Sequence, residues 1–326
     1  MSRLDPAVAA VRVAVRSLLS TRDKPGLVLA ATSGGADSLA LAAAVSFVAP
    51  RLDWRAGLLT VDHQLQQGSS AQAEAVVRWA SSVGLSPAEV LTVEVDGAGG
   101  PEAAARSARY TALAAAGHRL GARLILLGHT EDDQAETVLL ALARGSGPRG
   151  LSGMPLLRTM DGVEFGRPLL GLSRQTLLAA CAAENLVPWE DPHNADPSFA
   201  RARVRYDLMP LFLEALGQDV VPNLARTASL IATDSAYLDS LAYVALGQCL
   251  VGNALSVDAL SLQPDPLRTR VLHAWARSMG VPGAALSHRH VEALDALVTA
   301  WHGQGPTMLP GGIIVQRSAG LLGATA

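Results

Sequence analysis

Residues 32–38, Thr-Ser-Gly-Gly-Ala-Asp-Ser, carry the densest chemistry in the chain. They follow a β-branched, apolar run at 27–32 and precede a helix-like run at 39–48. A strand that enters a Gly-rich turn and opens onto a helix N-terminus forms an anion site. The turn's N–H groups point outward, the helix dipole favours negative charge, and Gly34 and Gly35 let phosphate oxygens approach the main chain beside Ala36. Ser33 and Ser38 add hydroxyl donors, and Asp37 adds a carboxylate able to hold a magnesium ion at the phosphates. An ordinary βα turn also uses Ser, Gly and Asp, but Ser-Gly-Gly-x-Asp-Ser after a first strand is far more specific. Neither Gly-x-Gly-x-x-Gly after that strand nor Gly-Lys-Ser/Thr is present, and the single lysine, Lys24, precedes the strand.

A second signal is Gly128-His129-Thr130-Glu131-Asp132-Asp133-Gln134-Ala135-Glu136-Thr137. Thr130 suits an N-cap, with acids in the first turn as the dipole prefers. Asp132 and Glu136 share one helix face, as do Asp133 and Thr137. Acids aimed at a phosphate turn serve as metal ligands or bases. Asp62 and His63 end another strand and are candidates for nucleotide contact. Arg106 and Arg109 lie three apart on one helix, Arg144 ends the next, and Arg201, Arg203 and Arg205 alternate after Asn194. Such arginines can clamp phosphate oxygens or form a solvated face. Arg268, Arg270, His273 and Arg277, followed by His288, Arg289 and His290, make a candidate basic patch for a phosphate backbone.

These residues need a scaffold. Amphipathic and alternating patterns predict a helix at 5–19, strands at 55–61, 90–95 and 123–127, and helices at 70–83, 101–120 and 130–144. Strands alternating with such helices imply an α/β fold with a doubly wound parallel sheet, whose ligands sit beyond the carboxyl ends of the strands. The Gly- and Pro-rich segment 145–172 reads as a loop over that rim. From 217 onward helical patterns at 219–250, 264–280 and 287–302 dominate, with short strands near 307–309 and 313–317. The expected division is therefore 1–216, a catalytic domain, and 217–326, a smaller and mainly helical one. The chain has 326 residues, 49% hydrophobic and 17% charged, with net charge −3. That composition supports a buried core and argues against disorder. Two cysteines, Cys181 and Cys249, are too far apart for a Cys-x-x-Cys site. With no secretory or membrane-spanning pattern, a cytoplasmic enzyme is expected.

The combination resembles a known family. Ser-Gly-Gly-x-Asp-Ser is similar to the signature loop of the N-type ATP pyrophosphatases, the PP-loop (adenine nucleotide alpha hydrolase-like) enzymes. Val61-Asp62-His63, Ala105-Arg106-x-x-Arg109-Tyr110, the 128–137 motif, Arg144-Gly145, Gly150-Leu151-x-Gly153-Met154, Arg167-Pro168-Leu169-Leu170 and Glu190-Asp191-x-x-Asn194 narrow it further. Over about residues 25–215 they resemble the tRNA(Ile)-lysidine synthetases. One departure is Arg201-Ala202-Arg203-Val204-Arg205, where the family commonly has Asn in the second place.

The resemblance implies ligation of L-lysine to C2 of the wobble cytidine, position 34, in the CAU anticodon of tRNA(Ile). ATP is consumed through an adenylated cytidine, and AMP and pyrophosphate leave. It places ATP on Ser33, Gly34, Gly35, Ala36, Asp37 and Ser38, with Asp62, His63, Gly128 and His129 nearby. Mg2+ would lie near Asp37 and be shared with Asp132 or Asp133. Arg106, Arg109, Glu136, Arg144, Asn194, Arg201 and Arg205 would contact substrate, and the C-terminal helices would grip tRNA. The lysine ε-amine, with an ordinary pKa of about 10.4, must lose a proton to attack. Asp132 is the first choice of acceptor and Asp133 the second. A homodimer is compatible with the reading and no membrane partner is expected. The rivals are another PP-loop enzyme, acting on tRNA or a small molecule, and a non-catalytic nucleotide-binding module.

Overall fold

The computed structural model describes residues 4–64, 68–93, 101–189, 196–283 and 285–325. Helix α1 (Pro6–Ser20) starts where the Asp5 carboxylate accepts the Ala7 N–H at 2.8 Å, and Pro6 occupies the first turn. Its Val8, Val11, Val15, Leu18 and Leu19 form the buried stripe expected of an amphipathic helix. There follow β1 (Leu27–Ala31), α2 (Ala36–Val48), β2 (Arg55–Asp62), α3 (Ser69–Ser82), β3 (Ala88–Thr92), α4 (Pro101–Leu120), β4 (Ala122–Leu127) and α5 (Glu131–Ala143). Beyond them lie α6 (Pro148–Leu151), β5 (Leu157–Met160), β6 (Val163–Gly166), α7 (Arg174–Ala183) and α8 (Ala200–Arg203). A π-helical turn (Val204–Leu208) then leads into α9 (Met209–Leu216) and α10 (Val220–Cys249).

The six strands run in the order β3-β2-β1-β4-β6-β5, all parallel except β5, which pairs antiparallel with β6. Every residue of β1 is buried, as befits a central strand covered on both faces. Alternate side chains separate the two layers. Val28, Ala30, Leu124 and Leu126 pack with α1, α2 and α7. Leu27, Leu29, Ile125 and Leu127 pack on the other face with Tyr110 and Leu113 of α4 and with Phe165. The chain leaves β1 toward β2 and β3, then crosses to β4 on β1's other side. That reversal opens a crevice at the carboxyl ends of β1 and β4, where open α/β sheets bind ligands.

Residues 145–172 are not simply a loop, because β5 and β6 extend the sheet there. Asp161 (φ 47°) and Gly162 (φ 77°) both take the left-handed conformation, and Met160 pairs with Val163 across them. Two positive φ angles in a two-residue turn match the twist of an antiparallel hairpin.

Two compact units, Met1–Ala232 and Thr233–Ala326, divide the chain inside α10. Gly217, where the helical pattern breaks, is instead the C-terminal cap of α9 with φ 91°. The second unit holds β7 (Leu250–Val251), β8 (Ala254–Ser256), α11 (Val257–Ser261), α12 (Asp265–Ser278), α13 (His288–Thr299), β9 (Thr307–Met308), β10 (Ile314–Ser318) and β11 (Leu321–Thr325). Helices form most of it, but they pack on a five-stranded antiparallel sheet, β7-β8-β11-β10-β9, around Trp275, Leu272, Leu294, Val315 and Leu322. The strands expected near 307–309 and 313–317 are β9 and β10, whereas β7, β8 and β11, of two to five residues, carry too little alternation to stand out in sequence.

The expected basic patch on α12 is corrected. Arg268 is 6% exposed, and its guanidinium reaches Asp295 and Asp265, each at 2.6 Å, and the Gln263 carbonyl. Arg270 pairs with Asp239 at 3.0 Å, and Arg277 donates to the Val281 carbonyl. These arginines hold their own unit together. Arg268→Ala is expected to destabilise it by about 3 kcal/mol, the low end for a buried pair broken from one side, because Asp265 is exposed. Circular-dichroism melting should show a lowered transition, with ATP binding retained.

Candidate active site

The turn after β1 is built for close approach. Gly34 has φ 88°, and a Cβ there would lie 2.9 Å from Gln72 Nε2. Ser38 Oγ donates to the Gly35 carbonyl (2.9 Å) and accepts the Ser33 N–H (3.1 Å), which fixes the curl. The Trp189 N–H caps the Gly34 carbonyl at 2.9 Å. At the end of β4, a Cβ on Gly128 would lie 3.0 Å from the Asp37 carbonyl oxygen and 3.1 Å from the Ser38 nitrogen. Glycine there lets β4 touch the first turn of α2.

Asp37 stands in that first turn. Its Oδ1 is buried with no hydrogen-bond partner among the described residues, and its Oδ2 lies 3.5 Å from Arg174 Nε. Burial pushes its carboxyl up to about 6; Arg174 opposes this and Asp133 adds to it. A buried carboxylate oxygen without a donor suits a cation or a ligand-borne donor.

Helix α5 brings the other acids. Thr130 and Asp133 form a reciprocal capping box: the Thr130 N–H donates to Asp133 Oδ2 (2.9 Å) and the Asp133 N–H to Thr130 Oγ1 (3.2 Å). Asp133 Oδ1 takes Arg205 at 3.0 Å and Arg174 at 3.4 Å. Glu136, 2% exposed, accepts two bonds from Arg205 (2.6 and 3.0 Å) and faces Arg201 Nε at 3.5 Å. Arg201 also donates to Thr137 Oγ1 at 2.8 Å. Asp132 is less committed: one oxygen accepts the Arg174 N–H at 2.8 Å. A groove of about 160 Å3 is lined by Asp132, Glu136, Arg174 and Arg205 on its polar side and by Met209, Pro210 and Leu213 on its apolar side.

Arg205→Ala would strand Glu136 and Asp133 without their nearest cation. Breaking a buried pair from one side costs about 3–5 kcal/mol, so thermal unfolding should show a large loss, partly restored in Arg205→Lys.

A second cluster lies under the rim. Arg167, 1% exposed, donates to the Tyr110 hydroxyl (3.3 Å) and the Pro155 carbonyl (2.9 Å), and Arg106 reaches the same hydroxyl at 3.4 Å. Burial holds His129 well below the ordinary histidine range; Asp133 opposes this, while Arg109, Arg167 and Arg106 reinforce it. His129 is therefore neutral at physiological pH. Its Nδ1 is buried without a partner among the described residues.

The structure thus brings Asp37, Asp132, Asp133, Glu136, Arg201 and Arg205 together beside the Gly-rich turn, with Gly128 against the turn. Asp62 serves its own chain, accepting the Gln64 N–H (2.9 Å) and the Ser70 hydroxyl (2.6 Å), with His63 half-buried next to it. Arg144 is exposed at the C-terminal end of α5, the opposite end from the acids. Asn194 lies outside the described residues. Two cations were not singled out from sequence. Arg167 stands within a longer motif, and Arg174 belongs to none. Arg174 had a signal: it opens α7 after the Ser173 cap, where the dipole disfavours a cation unless acids face it.

Comparison with known proteins places the whole chain among relatives. Residues 9–212 match the model of the PP-loop domain, and residues 255–322 match that of the TilS substrate binding domain. A protein of Salinispora tropica named tRNA(Ile)-lysidine synthase is 58% identical, covering 99% of this chain and 98% of its own length. One of the same name from Streptomyces coelicolor is 47% identical, covering 97% of each. Among solved structures, the U34-tRNA thiolase NcsA from Methanococcus maripaludis superposes with a TM-score of 0.58 at 16% identity, over 70% of this chain and 79% of that one, which is a likeness of fold alone.

Proposed function

This chain belongs to the tRNA(Ile)-lysidine synthase family, and from that premise we propose how its own residues divide the work. The enzyme forms lysidine on tRNA(Ile) with ATP. In our reading the Gly34–Ser38 turn cradles the phosphates, and its N–H groups meet the charge that develops as pyrophosphate leaves. The cytidine C2 oxygen attacks the α-phosphorus, breaking its bond to the bridging oxygen and giving an adenylated base. Lysine then adds through its ε-nitrogen to C2, the C2–O bond breaks, AMP leaves, and the amine proton passes to a carboxylate.

The groove suits that amine. Its floor carries Asp132 and Glu136, its apolar side suits a four-carbon stem, and Arg174 offers a partner for a carboxylate. Magnesium fits the donor set at Asp37 and Asp132. Among the described residues no three His, Cys, Asp or Glu are placed to ligate one metal ion, so phosphate oxygens and water would complete its shell. When bound it would neutralise charge on the triphosphate. No helix among the described residues is long and apolar enough to cross a membrane. We read the enzyme as cytoplasmic, with residues 1–216 catalytic and 217–326 holding tRNA, and a homodimer as compatible with it.

The observation that carries the proposal is the juxtaposition of the donor-poor Asp37 carboxylate with an acid-floored groove at the sheet's switch point. Pyrophosphate and AMP release from ATP tests it, with lysine and an unmodified CAU-anticodon tRNA(Ile) each omitted in turn. Release that requires the tRNA, with lysine mass gained at the wobble cytidine, is expected. Release without incorporation would reopen the nucleophile and favour another PP-loop chemistry. No release from folded, ATP-binding protein would point to a binding module.

A further inference from the structure

Lysidine formation requires the wobble cytosine to leave its loop, and a base so removed strips its neighbours of a stacking partner. A protein that reaches such a loop commonly returns that stacking with an exposed aromatic ring. Among the described residues of Met1–Ala232, Tyr206 is the aromatic side chain left exposed, at 52%. The rest, including Trp54, Tyr110 and Phe165, are buried or half-buried.

The position of Tyr206 is specific. Its neighbour Arg205 turns inward to Glu136 and Asp133, so the π-helical turn splits consecutive residues between the site and solvent. Tyr206 stands three residues before Met209 and four before Pro210, both of which line the groove. Leu208 and Leu211, 37% and 60% exposed, add apolar surface on the same short segment. The Tyr206 ring is exposed on the segment that supplies the groove's apolar residues, makes no described hydrogen bond, and its phenol interacts electrostatically with the neighbouring Arg205.

We propose that Tyr206 is a stacking platform for an unpaired anticodon-loop base next to the wobble cytidine. The proposal rests on the lysidine-forming reading and adds a contact to it: a flat ring that binds tRNA without touching ATP or lysine. Phenylalanine keeps such a platform and alanine removes it.

The test pairs kinetics with a probe of the base itself. Stacking on an aromatic side chain is worth roughly 1–3 kcal/mol per base, so Tyr206→Ala should raise the KM for tRNA roughly five- to 150-fold. Its kcat at saturating tRNA and its KM for ATP and lysine should stay within twofold, and Tyr206→Phe should match the unaltered enzyme. In parallel, an anticodon stem-loop carries 2-aminopurine on one or the other side of the wobble position. Its fluorescence should be quenched by the unaltered protein and by Tyr206→Phe, but not by Tyr206→Ala. An unchanged tRNA KM in a folded Tyr206→Ala protein would overturn the proposal. So would equal damage in Tyr206→Phe, which assigns the effect to the hydroxyl, or a loss confined to kcat, which assigns it to Arg205 alignment. The fluorescence arm needs no turnover, so failure of the lysidine reading would show separately, as absent lysine incorporation by the unaltered enzyme.

Discussion

Asp37→Asn is expected to abolish AMP release from ATP while making the magnesium-free protein more stable at neutral pH. The loss should be roughly 10²–10³-fold, the scale of removing one electrostatic contribution to the transition state, since Asp37 would hold the magnesium that neutralises charge on the triphosphate. The gain in stability follows from the cost of keeping this carboxylate charged. Burial lifts its folded pKa to about 6, against an ordinary 3.8, and Arg174 only partly compensates. A folded pKa above the unfolded one means the contribution to stability is fully present below pH 3.8. It is lost as pH rises through 6. Above that the ionised side chain costs on the order of 2–3 kcal/mol. The stability advantage of Asp37→Asn should therefore be absent near pH 3.5, grow between pH 4 and 6, and stay level above. Thermal unfolding in chelator across that range, beside pyrophosphate release with magnesium, checks both halves. A folded variant with near-normal turnover would remove Asp37 from the phosphate site; a variant less stable at pH 7 would make the side chain a structural one.

The same contrast explains what could be read from the chain. The Gly-rich turn was legible because it is local: seven consecutive residues declare strand, turn, cap and anion site together. The 128–137 motif was legible for the same reason, since a Thr cap and first-turn acids obey the helix dipole. What sequence hid was pairing at a distance. Asp133 looked like a free acid, yet one of its oxygens closes its own helix cap and the other belongs to Arg205, 72 residues away. Arg268 and Arg270 looked like a basic surface because Asp295 and Asp239, which neutralise them, come from α13 and α10. The hairpin of β5 and β6 was legible in principle. Asp161-Gly162 is a strong two-residue turn signal, but the glycines and prolines around it gave the whole segment the look of a loop.

Separation of Asp132 from Asp133 carries the second large effect. Sequence ranks them only by order, whereas the structure gives them different attachments. Both oxygens of Asp133 are engaged; burial alone would raise its carboxyl, but Arg174, the Thr130 N–H and Arg201 outweigh it and hold the carboxyl below the usual range. Asp133→Asn should therefore loosen the α5 cap and its arginine contacts, with a measurable drop in melting temperature. Asp132 lines the groove and has one oxygen on the Arg174 N–H, a bond that an amide oxygen can still accept. Asp132→Asn should fold normally and lose about 10²–10⁴-fold in lysine transfer, the range for removal of a positioned base. The distribution of that loss between products is the informative part. If Asp132 receives the amine proton, pyrophosphate still leaves, the adenylated tRNA accumulates, and only AMP release and lysine incorporation fall. If Asp132 instead holds magnesium with Asp37, pyrophosphate and AMP release fall together and the intermediate never forms. Undiminished release of both products would exclude both roles and leave Glu136, the other acid on the groove floor, to orient the amine.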